Sequence, residues 1–200
     1  MDYSLYIRDD QPVYSGELIH SRFAYKLLRK RTLPHGNIVA FRAPMKVEAS
    51  GMIDHEDLLS NDFIYSKDAI NFCWEIPNLC AFGAVAFQRL FNTQIANILY
   101  KLINKPIEVN GDDLLVHDEF ADKDGVVHKA GKCSVSITYT NNGTALGHTG
   151  INIDAGTRAP NFAYSTNLVD NDVEKFMQDV IGMFYLLIDD ISVATSKITI

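Results

Sequence analysis

Cysteine is scarce in this chain: Cys73, Cys80 and Cys133 are all there is, and no two of them form a C-x-x-C pair. An odd and sparse count fits a reducing compartment, with the thiols packed as small apolar side chains. No H-E-x-x-H occurs either, so a metal site would have to be assembled from distant positions, and none is expected. A P-loop and a dinucleotide-type G-x-G-x-x-G are also missing, and residues 143–147 (GTALG) read as turn chemistry rather than a phosphate cradle. The chain lacks an apolar run of 18 residues, which leaves nothing to span a membrane. Its first ten residues, MDYSLYIRDD, carry acids where a secretory signal needs positive charge followed by an apolar stretch, so the cytoplasm is the expected location. Positive charge is in deficit, with 18 Lys and Arg against 25 Asp and Glu and a net charge of −7, which argues against a dedicated nucleic-acid surface. The one basic stretch, KLLRKR at 26–31, suits the solvated end of a helix, where cations complement the dipole. Internal repeats, low-complexity tracts and Pro/Ser-rich linkers are absent, so residues 1–200 are expected to form one domain.

What is present is ordinary core material. Of the 200 residues 47% are hydrophobic, enough for one substantial core. Residues 4–7 and 12–14 are short β-like pieces around a turn, and 17–31 has helical spacing at Leu18, Ile19, Phe23, Leu27 and Leu28 behind Ser15 as a candidate N-cap. Residues 37–42 (NIVAFR) form a branched apolar run that suits a buried strand, with 45–48 continuing it. Residues 54–59 fit a short helix, and 68–75, which hold the single tryptophan, fit a strand ended by Pro77. An uninterrupted stripe from Phe82 through Val85, Phe87, Leu90, Phe91, Ile95, Ile98, Leu99 and Leu102 predicts a long, largely buried helix over 79–103. Strands follow at 107–109, 114–117, 126–129, 133–140 and 145–153, the last two joined by Asn141-Asn142-Gly143, a strong hairpin signal. Asp170 caps a last helix over 171–188, and the alternating tail 192–200 reads as an edge strand or a loose end. If it is an edge strand it offers a route to a homodimer. The sum is an α+β fold with helices packed on a mainly antiparallel sheet.

Residues 111–153 hold the densest chemistry. Paired carboxylates, Asp112 and Asp113, open one strand, and Gly131-Lys132 opens the strand that returns beside it. A glycine lets backbone approach a ligand closely, and a lysine ammonium is a compact charge for a carboxylate or phosphate oxygen. An ordinary hairpin with an exposed lysine is the plain alternative. Other candidates are scattered. His20 and Arg22 stand near the start of the first helix, where backbone N–H groups favour anions. Arg42 ends a buried-looking strand and faces either a cleft or an acid. Lys46 alternates with Glu48 on one strand face, either as site or as salt bridge. Glu75 closes the tryptophan strand. His148, with Asn152, lies on the return strand expected to pair with the Lys132 strand; a hydrogen-bonded structural histidine is the bland reading.

The arrangement N-G-D-D-L-L-V followed by G-K-C-S-V-S resembles the N-D-φ-x-V … G-x-K-φ-x-G/S signature of lipoate- and biotin-protein ligases, in which the lysine contacts the acyl carboxylate or adenylate. Here two carboxylates replace one, Lys132 directly follows Gly131, and the intervening loop, 118–130, is longer. Nearly the whole chain is similar to the family called domain of unknown function 366. The likeness is carried by YSG at 14–16, IHSRFAY at 19–25, VAFR at 39–42, KVE at 46–48 and MIDHEDL at 52–58. It continues through FCWEIP at 72–77, GDD at 111–113, GK at 131–132 and HTGIN at 148–152. That family tends to read I-R-S-H-W-A-Y at the first helix, whereas His20 and Arg22 have exchanged types here.

The resemblance implies the fold shared by class II aminoacyl-tRNA synthetases and biotin/lipoate ligases. It also implies a pocket for a small carboxylic acid or nucleotide-like ligand, with an acyl-carrier protein as a partner. The ligases' ATP-binding elements are not evident. An ATP- and Mg²⁺-dependent ligase therefore stands beside a transferase that takes a preactivated or carrier-bound acyl group. A non-catalytic or nucleoside-handling binding protein on the same scaffold is the alternative.

Overall fold

The computed structural model describes residues 13–17, 19, 20, 22, 23, 26, 35–48, 51–54, 59 and 63–198. Among them, β1 (Asn37–Val47) and β2 (Ile64–Pro77) are long antiparallel strands registered Ile38 to Trp74 and Phe41 to Asn71. Two further strands, β8 (Ser134–Asn141) and β9 (Thr144–Asp154), form a hairpin whose turn residues, Asn142 and Gly143, both have positive φ, as a two-residue type I′ turn requires. β9 also pairs with β2, Phe72 opposite Thr149, which closes a four-stranded antiparallel sheet in the order β1-β2-β9-β8. Strands this apolar are buried on both faces only if something covers each.

Helices cover the first face. Between β2 and the small strands runs α1 (Ala81–Ile103), which ends where Asn104 turns left-handed and donates its N–H to the Tyr100 carbonyl. The chain closes with α2 (Asp170–Ile198). Phe87, Phe91, Ile95 and Leu99 of α1 and Phe176, Val180 and Phe184 of α2 pack on Ile70, Phe72, Trp74 and Ile76. Trp74 meets Phe87 edge to face at 5.1 Å. Only one side of α1 is buried, this stripe together with Ala84, Gln88, Asn92 and Ala96. Phe82, Val85 and Leu90 point to solvent, so the helix is half-buried rather than largely buried as its composition suggested. The apolar positions at 82, 85 and 90 fall outside the arc that a single sheet face can cover.

The opposite sheet face carries a second core of Tyr14, Ile19, Phe23, Val39, Phe41, Met45, Val47, Cys73 and Leu146, flanked by Val135, Ile137 and Tyr139. Tyr14 is fixed there by a parallel bridge to β1, its N–H bonded to the Pro44 carbonyl at 2.8 Å.

Small strands make up the rest: β3 (Ile107–Asn110), β4 (Asp113–Val116), β5 (Phe120–Ala121), β6 (Val127–His128) and β7 (Gly131–Lys132), in sheets β3-β4-β7 and β5-β6. The Lys132 strand thus pairs with β4, Leu115 opposite Lys132, and not with the His148 strand. The reason lies at Cys133, whose N–H bonds Leu114 while its carbonyl accepts from Asn152, so the chain changes sheets at that residue.

The tail is a second correction. Residues 192–198 continue α2, and the hydroxyls of Ser192 and Thr195 bond back to the carbonyls of Ile188 and Ile191. An edge strand for homodimer pairing is therefore not formed there. The strand at 4–7, most of the helix expected at 17–31 with Ser15 as its cap, and most of the helix at 54–59 lie outside the described residues. Among the described residues no helix is long and apolar enough to cross a membrane.

Candidate functional site

A cavity of about 520 Å³ opens over the helix-free face of β8 and β9 and reaches the turn between β3 and β4. Its wall includes five residues that the sequence singled out: Asp112, Asp113, Lys132, His148 and Asn152. Lys132 is held on both sides by backbone. Beyond β4, its N–H bonds the Phe162 carbonyl and its carbonyl accepts from Tyr164, both at 2.8 Å. Its Nζ meets Asp113 Oδ1 at 2.6 Å with both side chains about a third exposed, a screened pair worth under about 1 kcal/mol. Asp112 Oδ1 lies 3.5 Å from Arg89, and its backbone carbonyl accepts from Asn92 at 3.0 Å.

His148 is buried and stacks flat on Tyr14, ring centres 3.8 Å apart. Asn71 fixes its tautomer. The Asn71 amide nitrogen donates to the carbonyls of Ala43 and Ala69, so its Oδ1 must accept from His148 Nε2, 2.9 Å away. Nε2 then carries the proton and Nδ1 the lone pair. Burial disfavours the cation and pushes the imidazole down to about 3, so His148 is neutral. Nδ1 has no hydrogen-bond partner, and neither does Asn152 Oδ1, although the Asn152 amide nitrogen donates to the Tyr164 carbonyl.

The remaining predicted residues do not reach the cavity. Gly131 lies just behind it, and its missing side chain serves internal packing: a Cβ there would stand 2.6 Å from the Phe120 ring. Arg42 is taken up by Asp68, Nη2 to Oδ2 at 2.5 Å, and by Asp170 at 2.7 Å, which raises its already high pKa. Lys46 pairs with Glu48 at 2.7 Å and holds that carboxyl below its ordinary range. Glu75 is buried, accepts the backbone N–H groups of Arg22 and Phe23, and is raised by desolvation. Arg22 is exposed with φ of 61°, and His20 is half-buried; neither lines the cavity.

Sequence reading missed Tyr14, Asn71 and a polar cluster that ties α1 to the cavity floor. In that cluster Gln88 donates to the Ser136 hydroxyl at 2.9 Å, and Asn92 receives a bond from Thr149 at 2.9 Å. The available signal was Gln88 and Asn92 four residues apart inside an apolar helical stripe. Among the described residues no three His, Cys, Asp or Glu side chains converge as a metal site would require.

The sequence profile described as Domain of unknown function (DUF366) matches residues 3–199. No curated protein matches the sequence. In shape the chain is similar to a protein of unknown function from Pyrococcus horikoshi, at 21% identity and TM-score 0.80, covering 98% of this chain and 97% of that one. It is also similar to a structure of an archaeal lipoylation system from Thermoplasma acidophilum, a bipartite lipoate protein ligase and its E2 lipoyl domain. That match has 11% identity and TM-score 0.55, over 86% of this chain and 80% of the other. A biotin protein ligase from Leishmania major in complex with biotin matches at 10% identity and TM-score 0.52, covering 85% and 70%. These likenesses establish the α+β biotin/lipoate-ligase-like fold.

Proposed function

The chain belongs to the DUF366 family, and from that premise and the cavity we propose that it is an acyl-transfer or acyl-adenylate-type enzyme acting on a small carboxylic acid or an acyl carrier. The observation that carries the reading is Lys132. Its main chain is bonded on two sides, which fixes the base of the side chain at the wall of a ligand-sized cavity, and its ammonium pairs there with Asp113, in a fold that lipoate and biotin ligases share. An ammonium has three donors and Asp113 takes one, which leaves two for the oxygens of a carboxylate or phosphate. A fixed cation aimed at developing negative charge is the largest contribution such a site makes to acyl transfer. Asp113 orients the lysine, and Asp112, steadied by Arg89, faces the attacking amine or hydroxyl of the acceptor. A preactivated or carrier-bound acyl group and an ATP-dependent step both suit a wall with one cation and paired carboxylates.

One observation favours a binding protein instead: among the described lining residues Asp54, Asp112 and Asp113 outnumber the single lysine. A thermal-shift panel of lipoate, biotin, ATP and acylated carrier domain separates the two. A ligand at 100 times its dissociation constant raises stability by about 2.7 kcal/mol. Lys132→Gln should weaken acid or acyl-carrier binding at least tenfold and abolish transfer to an amine acceptor. A wild type that answers to none of these compounds would remove the enzyme reading.

A further inference from the structure

His148 and Asn152 stand four residues apart on β9, so both side chains face the same way, with Gly150 between them. Their Cα atoms are about 13 Å apart at the rise of a strand. Gly150 leaves the space over it to the buried Met45 side chain, for a Cβ there would stand 2.4 Å from Met45 Sδ and 3.1 Å from His148 Cε1. Asn152 marks the lysine end, because its N–H bonds Cys133, the residue next to Lys132. His148 marks the far end, against Tyr14. Each of the two lines the cavity, is at least nine-tenths buried, and presents an acceptor without a partner.

Buried acceptors are nearly always satisfied, and leaving one unpaired is costly. Here the donors of the neighbouring side-chain amides are spent elsewhere. The Asn71 amide is committed to two carbonyls, and the Asn152 amide to a third. The apolar neighbours Val135, Ile137 and Val47 offer none. A ligand that reaches the two acceptors with a hydrogen-bond donor satisfies an acceptor that is already buried and unpaired, whereas one without a donor leaves both unpaired.

We propose that the inner wall of the cavity selects ligands by their hydrogen-bond donors, so that the bound acid carries an N–H-bearing head such as a cyclic urea or an amide. It rejects a bare hydrocarbon or a cyclic disulfide. This specificity rests on the reading that places the acid group at Lys132, but it has its own readout. Sites built to pair a substrate N–H or O–H discriminate strongly against analogues that lack it.

Biotin and lipoate make a matched pair of probes. Both are pentanoic acids ending in a sulfur-containing ring, and only biotin's ring carries N–H groups. Calorimetric titration of the full chain should show biotin binding at least tenfold tighter than lipoate. In His148→Phe, which keeps a ring against Tyr14, the preference should shrink severalfold. Nitrogen-15 spectra of the wild type provide the check that does not depend on a variant folding. The His148 Nδ1 resonance should move in the direction of an accepted hydrogen bond on addition of biotin, and also on addition of the acid-free cyclic urea 2-imidazolidone.

Equal binding of the two acids, a biotin preference without movement of Nδ1, or an Nδ1 resonance indifferent to both donor probes would each overturn the inference. A water molecule satisfying Nδ1 predicts that indifference. If Lys132→Gln leaves acid binding untouched while the urea still shifts Nδ1, donor recognition stands and the acyl-transfer reading falls.

Discussion

At the scale of single residues, His148 carries a pH dependence whose sign can be worked out. Folded, it titrates near 3; unfolded, near its ordinary 6.5. Between those values the unfolded chain binds a proton that the folded chain does not, so stability falls on acidification from about 6.5 downward. Above 6.5 the group adds no slope. One such site contributes about 1.4 kcal/mol per pH unit within its window. Glu75 acts in the opposite sense: desolvation raises it above 4.5, so its contribution is lost as pH rises through its folded value. Urea unfolding at pH 5.5 and 6.5 should therefore show His148→Phe with a flatter dependence than wild type; identical slopes would mean that His148 protonates in the folded chain.

The same residue shows where sequence reading stops. Lys132, Asp112 and Asp113 were visible because they stand at β7 and at the start of β4, two strands near in sequence that pair. His148 was visible as a histidine on an apolar strand, but its neutrality depends on Tyr14 and Asn71, 134 and 77 residues away in the chain by the numbering. Arg42 looked like a site residue for the converse reason. Its partner Asp68 lies one strand over, in a register that no local pattern specifies.

Among the elements, α2 departs furthest from expectation. Its buried positions, Val173, Phe176, Met177, Val180, Ile181, Phe184 and Ile188, follow the helical period seen in the sequence. Beyond Ile188 that period ends, and the alternating Ser, Val, Thr and Ile imitate a strand. The helix nevertheless continues, with hydroxyls satisfied on the preceding turn and with Val193 and Ile198 in solvent. Such a segment contributes under about 1 kcal/mol. A chain ending at Ile191 should thus melt within about 4 °C of the intact one and elute as expected for its mass. A fall of 10 °C, or a change in assembly state, would mean that these turns dock on another surface, a second copy included. The split of 131–141 between two sheets was illegible for a related reason: continuous alternation over Cys133–Thr140 says nothing about which partner each half takes.

For the molecule as a whole, the α+β class and antiparallel pairing were legible because period-2 runs, an Asn-Gly turn and two helical stripes all agree. The second core under the sheet was legible only in part: Val39, Phe41 and Cys73 lie on strands the sequence marks, but Tyr14 joins them through a bridge to β1 that no local pattern specifies. Charge was legible throughout and bears on binding. The chain carries −7, and the cavity wall presents Asp54, Asp112 and Asp113 around Lys132, the one cationic side chain among the described lining residues. An approaching carboxylate meets this field before it meets the ammonium. At 0.01 M salt the field reaches about 30 Å, and at 0.15 M about 8 Å. Association of an anionic acid should therefore quicken, roughly twofold or more, as salt rises across that range, the reverse of electrostatic steering toward a basic cleft. Asp112→Asn should raise the low-salt rate and flatten the dependence, while dissociation, governed by contact with Lys132, should change little. Stopped-flow measurement with a fluorescent acid reads both. An association rate of the acid that falls with salt would instead mean that Lys132, and not the carboxylates, dominates the field at the mouth of the cavity.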